Sequence, residues 1–119
     1  MSPAGGSHPE ARAAAQARLE SLAGPYEARP GVAWERMFGS TGLAVRGKIF
    51  GVATHDGRLM VKIPEARAEQ RIADGECEAM VMRGRPMREW VVAPLDAPDT
   101  VWVSLLDESY AYLDAITPR

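Results

Sequence analysis

Between residues 32 and 63 the chain repeats one pattern, in which short apolar runs alternate with glycine-containing turns. Leu43–Val45 is followed by Arg46-Gly47 and then by Ile49–Ala53, and Asp56-Gly57 precedes Leu59–Ile63. Glycine supplies the positive φ that a tight hairpin turn needs. Turns this closely spaced leave no room for the crossover helices that parallel strands require. The pattern therefore predicts three or four successive antiparallel strands.

Two further extended segments surround this series. The run from Val32 to Phe38 predicts a strand that leads into a turn at Gly39–Gly42. Farther along, Ala79–Arg83 and Met87–Ala93 predict a second hairpin. We place its turn at residues 84–86, Gly-Arg-Pro, because glycine and proline favour turns.

Three segments have the pattern of helices. Ser7 is a suitable N-cap for a helix that Gly24-Pro25 ends, and Pro64 opens a second helix that Gly75 ends. A last helix begins at Asp96 or Pro98. Its apolar residues recur at helical spacing and form one stripe: Trp102, Leu105, Leu106, Ser109, Leu113 and Ile116.

The predicted order is helix, strands, helix, strand pair, helix. This order is typical of an α+β fold, with an antiparallel sheet of about five to six strands and helices packed mainly on one face. We expect residues 1–7 to form a flexible leader, because they are small and glycine-rich. Residues 8–119 then form a single domain, since 119 residues suffice for one core but not for two.

Composition narrows the function classes. Hydrophobic residues make up 46% of the chain and charged residues 25%, which is typical of a globular protein. No apolar stretch approaches the ~20 residues of a membrane-spanning helix, so we expect no membrane association. Cys77 is the only cysteine, which excludes an internal disulfide and agrees with a cytoplasmic location.

The sequence shows no catalytic or metal-binding pattern. His8, His55 and Cys77 are too few to build a structural zinc site, which takes about four ligands. His55 beside Asp56 could be an oriented base, but we interpret the pair as a polar turn because no third group accompanies it. The flanking residues Glu76 and Glu78 would suppress a Cys77 thiolate. We therefore expect no enzyme activity, no cofactor and no metal.

A cluster of arginines is the strongest candidate for a binding site. Arg83, Arg85 and Arg88 fall within six residues around the second hairpin turn. Guanidinium groups bind phosphates and carboxylates bidentately, so the cluster could contact a nucleic acid or an acidic partner. The alternative is a solvated turn that keeps a sheet edge soluble. The net charge of −2 argues against tight binding to a polyanion.

The three tryptophans admit two interpretations. Trp34, Trp90 and Trp102 could line a ligand cleft between the sheet and the helices. We favour a core role, because Trp102 lies on the apolar stripe of the last helix.

Residues 36–52 read R-M-F-G-S-T-G-L-A-V-R-G-K-I-F-G-V. They resemble the R-M-F-G-G-x-G-L-x-x-x-G-K-x-F signature of the TfoX N-terminal family, and G-R-P-M-R-E-W at residues 84–90 is similar to its G-x-x-M-K-E-W stretch. The chain departs from the family at Ser40, where glycine is frequent, and at Gly51, where alanine is usual. The residues that carry the resemblance are Arg36, Met37, Phe38, Gly39, Gly42, Gly47, Lys48, Phe50, Glu89 and Trp90.

The resemblance implies an antiparallel sheet flanked by helices and a regulatory role without catalysis. The MmcQ/YjbR-like family shares part of the pattern and is the nearest competing assignment. Our first hypothesis is a regulatory or adaptor module that binds a protein partner, with a homodimer as a further expectation. Weak nucleic-acid binding through the arginine hairpin is the second hypothesis. Small-molecule binding in a pocket between sheet and helix is the third.

Overall fold

The computed structural model describes residues 9–37 and 39–119. The predicted leader at residues 1–7, its N-cap Ser7, and Phe38 lie outside the described residues. The elements in chain order are α1 Pro9–Leu22, α2 Gly24–Glu27, β1 Val32–Met37, β2 Ser40–Val45, β3 Lys48–Ala53, β4 Leu59–Lys62, α3 Glu65–Ala73, β5 Glu78–Met82, β6 Arg85–Ala93 and α4 Asp99–Ile116.

The strands form one six-stranded sheet in the order β1-β2-β3-β4-β6-β5. Every neighbouring pair is antiparallel, which confirms the predicted α+β class and the meander from β1 to β4. After α3 the chain adds β5 at the far edge and returns through β6, which inserts beside β4. β1 and β5 are therefore the two edge strands.

The second hairpin turn begins one residue earlier and ends two residues earlier than its glycine and proline suggest. The turn residues are Arg83 and Gly84, with φ of 54° and 77°, and Arg85 and Pro86 already belong to β6. Two positive φ angles give a two-residue loop whose twist matches that of the strands. Pro86 is tolerated there because β6 pairs with β4 only from Trp90 onward. The predicted turn at residues 84–86 was therefore wrong.

The other predicted turns agree more closely with the structure. Arg46 and Gly47 form the predicted tight turn between β2 and β3, with φ of 47° and 85°. The first turn is shorter than predicted, since β2 already begins at Ser40. Gly24-Pro25 ends α1 as predicted, but Pro25 also opens the short helix α2, where a proline in the first turn loses no hydrogen bond.

The main core lies between the sheet and the helices. Leu19 of α1, Tyr26 of α2 and Trp102 of α4 are buried in one cluster with strand residues such as Leu43 and Val61. The predicted stripe of α4 is confirmed for its buried members: Trp102, Leu105, Leu106, Ser109 and Leu113. Ile116, the last member of that stripe, is exposed instead.

Among the described residues, no helix combines the length and the apolar character needed to cross a membrane.

Candidate functional site

The sheet face opposite the helices carries a second apolar cluster, which we call the open face. Every residue of this cluster belongs to a strand, whereas the buried apolar residues of the helices all belong to the main core. Its members are Met37, Ile49, Val52, Met60, Met80, Trp90 and Val92. The open face thus crosses the sheet from β1 to β5 without a contribution from any described helix residue.

Strand alternation explains how a single strand contributes side chains to both faces of the sheet. In β4, Leu59 and Val61 point toward the helices and Met60 points toward the open face. Met60 lies opposite Val92 of β6, so the two side chains are neighbours across the strands. Met60 and Val92 are only 3% and 1% exposed, because the larger side chains around them shield them.

Trp90 and Lys62 give the open face its polar features. The Lys62 Nζ lies 5.7 Å from the centroid of the Trp90 ring, in cation–π geometry. The same Nζ lies 3.7 Å from Oε1 of Glu89. Glu89 also accepts a 2.7 Å hydrogen bond from the Tyr112 hydroxyl of α4, and that bond raises the pKa of Tyr112. The surface therefore combines an aromatic ring, methionine thioethers and a cation.

The arginine hairpin lies at one end of this sheet. Arg83 occupies the turn, and Arg85 opposes Met82 as the first residue of β6. The guanidinium groups of both residues are exposed and bond to no described residue. Arg88 lies farther along β6, and its Nη1 is 4.0 Å from a carboxylate oxygen of Glu65 in α3. The turn therefore brings Arg83 and Arg85 together, while Arg88 is oriented toward α3.

The residues that carry the family resemblance separate into three locations. Met37 and Trp90 lie on the open face, and Phe50 lies in the main core with its ring edge-on to Tyr110. Arg36 lines a cleft beside α1. Phe38 lies outside the described residues. The signature is thus largely a set of fold-defining positions, and part of it builds the open face.

The remaining signature residues shape the turns and the strand spacing. A Cβ on Gly42 would come within 2.7 Å of the carbonyl oxygen of Gly51, so a close approach of β2 and β3 requires glycine there. The Gly39 carbonyl accepts a 2.6 Å hydrogen bond from Arg12 of α1. Gly47 completes its turn, and Lys48 begins β3 as an exposed side chain. Gly39, Gly42 and Gly47 therefore have structural roles.

Gly51 departs from the family pattern for a reason that lies in α4. A Cβ built on Gly51 would come 2.4 Å from Cδ2 of Leu106, whose side chain is fully buried. The Leu106 methyl therefore occupies the space that the methyl of an alanine at position 51 would need. Helix α4 consequently packs closely on β3 at this point.

A cleft of about 660 Å³ opens between α1 and the edge strand β1. Trp34 contributes one wall, and its Nε1 donates a 2.9 Å hydrogen bond to Glu27. Arg36 and Arg12 line the other end, and Arg12 also bonds Ser40 Oγ at 3.2 Å. This cleft lies between the sheet and a helix, where our third hypothesis places a pocket. Trp34 is consequently half-buried, whereas Trp102 has the core role that we favoured.

Cys77 and His55 are separated in the fold. Cys77 is a buried free thiol, and burial raises the pKa of that thiol to about 11, with Glu76 and Glu78 adding to the increase against the opposing charge of Arg71. His55 is exposed in the turn before β4. No group of three or more potential metal ligands occurs in the part of the chain that the structure describes.

Sequence reasoning missed a polar network between α3 and α4. Arg71 is only 8% exposed. Its guanidinium donates hydrogen bonds of 2.8 Å each to Glu108, Glu76 and Ser104. Arg67 donates to the other carboxylate oxygen of Glu108 at 2.6 Å. Burial acts to raise the pKa of Glu108, but the bonds and charges of Arg67 and Arg71 outweigh it and hold the pKa below its usual value. The i, i+4 spacing of the two arginines was the available signal.

Arg46 has a second role that the sequence did not reveal. Besides its place in the β2–β3 turn, its guanidinium forms an ion pair with Asp114 at 2.9 Å. It also donates to the carbonyl oxygens of Asp114, Thr117 and Pro118 over 2.9 to 3.1 Å. A cation at this position satisfies free carbonyl groups at the C-terminal end of α4. The contact fixes the end of α4 to the sheet.

The family model of the TfoX N-terminal domain matches residues 20–111 of the 119-residue chain. The matched segment contains all six strands, so the open face and the arginine hairpin both lie within it. Among curated proteins and among solved structures, none matches the chain.

Proposed function

The chain belongs to the TfoX N-terminal domain family, and on this premise we propose that it is a non-enzymatic regulatory or adaptor module of the cytoplasm that binds a protein partner through the open face. Cys77, a buried free thiol, is typical of proteins in reducing compartments. Because fold alone does not define a function, the proposal depends on the properties of this surface.

The observation that carries the proposal is an apolar cluster on a sheet face to which no described helix contributes. Four of its residues, Met37, Ile49, Met80 and Trp90, are half-buried and remain partly accessible. Methionine is unbranched and polarizable, so it adapts to the shape of a partner. Tryptophan provides a large contact area and is enriched at binding hot spots.

The charges around the open face indicate the chemistry of the partner. Lys62 lies beside Trp90 on this face, and Arg85 opposes Met82 near one end of the sheet. Strand alternation places Met82 on the same side as Met80. An apolar segment that carries acidic residues would therefore complement the surface, with apolar side chains against Trp90 and a carboxylate near Arg85, whose guanidinium bonds to no described residue. We expect the partner to present such a segment.

Site-specific photo-crosslinking in cells tests this proposal. A photoreactive amino acid replaces Ile49, which is part of the open face, and a matched variant carries it at Ala111, an exposed position on α4. We expect a discrete protein adduct from position 49 that is absent from position 111. Mass spectrometry of the adduct should identify an acidic, apolar peptide.

A Trp90→Ala variant provides the control in the same experiment. Its fold is checked first by circular dichroism, and the adduct at position 49 should then disappear. Identical adducts from both positions, or a captured peptide rich in basic residues, would overturn the proposal.

Weak nucleic-acid binding is a second candidate function, favoured by the two exposed guanidinium groups of Arg83 and Arg85, which bond to no described residue. The test is titration of a labelled DNA duplex at near-physiological salt, with the wild type beside an Arg83/Arg85/Arg88 triple alanine variant. Phosphate contacts would make the affinity fall steeply with salt, and each removed contact would reduce the salt slope by about one counterion. Submicromolar affinity that the triple variant loses would favour this candidate over protein binding.

A further inference from the structure

The two edge strands of the sheet differ in how well they are protected against pairing with another chain. β1 presents the exposed charges of Glu35 and Arg36. In β5, by contrast, Ala79–Met82 is a run of uncharged apolar residues. An uncharged stretch of an edge strand, such as Ala79–Met82, is a template for pairing with a further strand. On its outer side, β5 pairs with none of the strands that the structure describes.

The backbone of β5 is suited to such pairing. The register of β5 with β6 shifts between Ala79 and Met80, since Ala79 opposes Val91 while Met80 opposes Met87. Residues 88–90 of β6 therefore have no opposing residues in β5. The irregularity lies in β6, and the edge strand β5 has no inserted residue. Val81 is 57% exposed, which is unusual for a valine within a strand.

A helix adds apolar surface on one side of this edge. α3 packs on β5 and β6, and its Ile72 is 37% exposed. Because Met80 lies on the open face, alternation places Val81 on the side of α3. Ile72 and Val81 are two of the three large apolar side chains that are exposed among the described residues.

The charges at the two ends of β5 are self-complementary. Glu78 begins the strand and Arg83 follows its last residue, and neither side chain has an ion-pair partner among the described residues. In an antiparallel pair of identical strands, the start of each strand lies beside the end of the other. Two copies of β5 would therefore place Glu78 of each copy close to Arg83 of the other, twice over by symmetry.

We infer that the chain forms a two-fold symmetric dimer in which β5 pairs antiparallel with β5 of a second copy. The two sheets join edge to edge, with the helices of both copies on the same side. Residues that lie directly opposite each other point to the same face of a sheet. Odd-numbered residues of β5 must therefore oppose odd-numbered residues of the second copy, for example Val81 opposite Val81. Ile72 and Val81 of both copies then bury apolar surface beside the new strand pair.

The dimer is expected to be weak. β5 has only five residues, so the contact is smaller than the interface of a permanent dimer. Sedimentation velocity of the full chain over a wide concentration range should show a reversible monomer–dimer equilibrium. A monomer at every concentration up to the millimolar range would overturn the inference.

A charge swap tests the pairing itself. Glu78→Arg and Arg83→Asp should each weaken dimerisation at least tenfold, because each places like charges together. Asp suits the left-handed backbone at position 83, where φ is 54°. The double variant Glu78→Arg/Arg83→Asp restores opposite charges and should recover dimerisation. Equal or greater weakening in the double variant would overturn the proposed antiparallel arrangement.

Val81→Lys places a charge in the centre of the edge and should abolish dimerisation. The matched control is Ile116→Lys, which changes an equally exposed apolar residue at the end of α4 and should leave dimerisation unchanged. If instead Val81→Lys dimerises like the wild type, the interface lies elsewhere and the inference is wrong.

Amide hydrogen exchange of the wild type gives a readout that does not depend on any variant. Raising the protein concentration through the dimer transition should slow exchange in β5 and leave the other edge strand, β1, unchanged. Concentration-dependent protection in β1 rather than β5 would overturn the inference.

Discussion

The two faces of the sheet differ in what covers them. On the face that we call the covered face, helices lie over Leu59, Val61 and Val91. On the open face, Met60 and Val92 are covered only by side chains of neighbouring strands. Both sets are nearly inaccessible to solvent. Substitutions on the covered face should mainly lower the free energy of unfolding, whereas substitutions on the open face should mainly weaken binding of the proposed protein partner. The predictions below test this division.

The largest effect is expected where α4 meets the covered face. Trp102 and Leu106 are fully buried, so Trp102→Ala should destabilise the protein by about 3–5 kcal/mol and Leu106→Ala by about 2–5 kcal/mol. Urea unfolding measured by circular dichroism gives both values. Near-neutral effects at both positions would show that α4 does not pack on the sheet.

The close contact between Gly51 and Leu106 predicts a coupled effect. Gly51→Ala adds a methyl group where Leu106 Cδ2 already lies, so we expect a loss of about 1–3 kcal/mol from overpacking. In the double variant Gly51→Ala/Leu106→Ala, the new methyl fills part of the cavity. The double variant should therefore be more stable than the sum of the single effects predicts. Additive values from urea unfolding would contradict this contact.

The polar network between α3 and α4 should make the stability of the protein depend on pH. The pKa of Glu108 is lower in the folded protein than its usual value of 4.5. The stabilisation is therefore present above the unfolded pKa and is lost as the pH falls through the folded pKa. Glu108→Gln should cost about 1–3 kcal/mol at pH 7, because Arg71 and Arg67 lose a charged acceptor.

Thermal unfolding between pH 3 and pH 7 measures this dependence. The difference in melting temperature between wild type and Glu108→Gln should narrow as the pH falls below 4.5, the usual pKa of the carboxyl group. A constant difference over the whole range would show that the charge of Glu108 does not contribute.

The smallest stability effect is expected on the open face. Trp90 is only half-buried, so Trp90→Ala should cost about 1–2 kcal/mol, less than the same substitution at Trp102. Urea unfolding of the two variants side by side gives a matched comparison of the faces. If Trp90→Ala costs as much as Trp102→Ala, the open face is a second core rather than a binding surface.

Much of the fold could be predicted because its signals are local. The Arg46-Gly47 turn, the apolar run that begins at Leu59 after Asp56-Gly57 and the stripe of α4 each depend on residues a few positions apart. The error at the second hairpin has the same origin. Gly84 and Pro86 both favour turns, and the choice of Arg83-Gly84 depended on the twist that two paired strands impose.

The sequence by itself determined the meander from β1 to β4, the presence of α1, α3 and α4, and which residues of a strand share a face. Only the tertiary structure decided that β6 inserts beside β4 and leaves β5 at an edge. It also decided that Arg46 contacts Asp114, 68 residues away. Backbone preferences are set by near neighbours, whereas strand order and helix placement follow from burying apolar surface contributed by distant segments. Pairs of residues so far apart leave no local pattern in the chain.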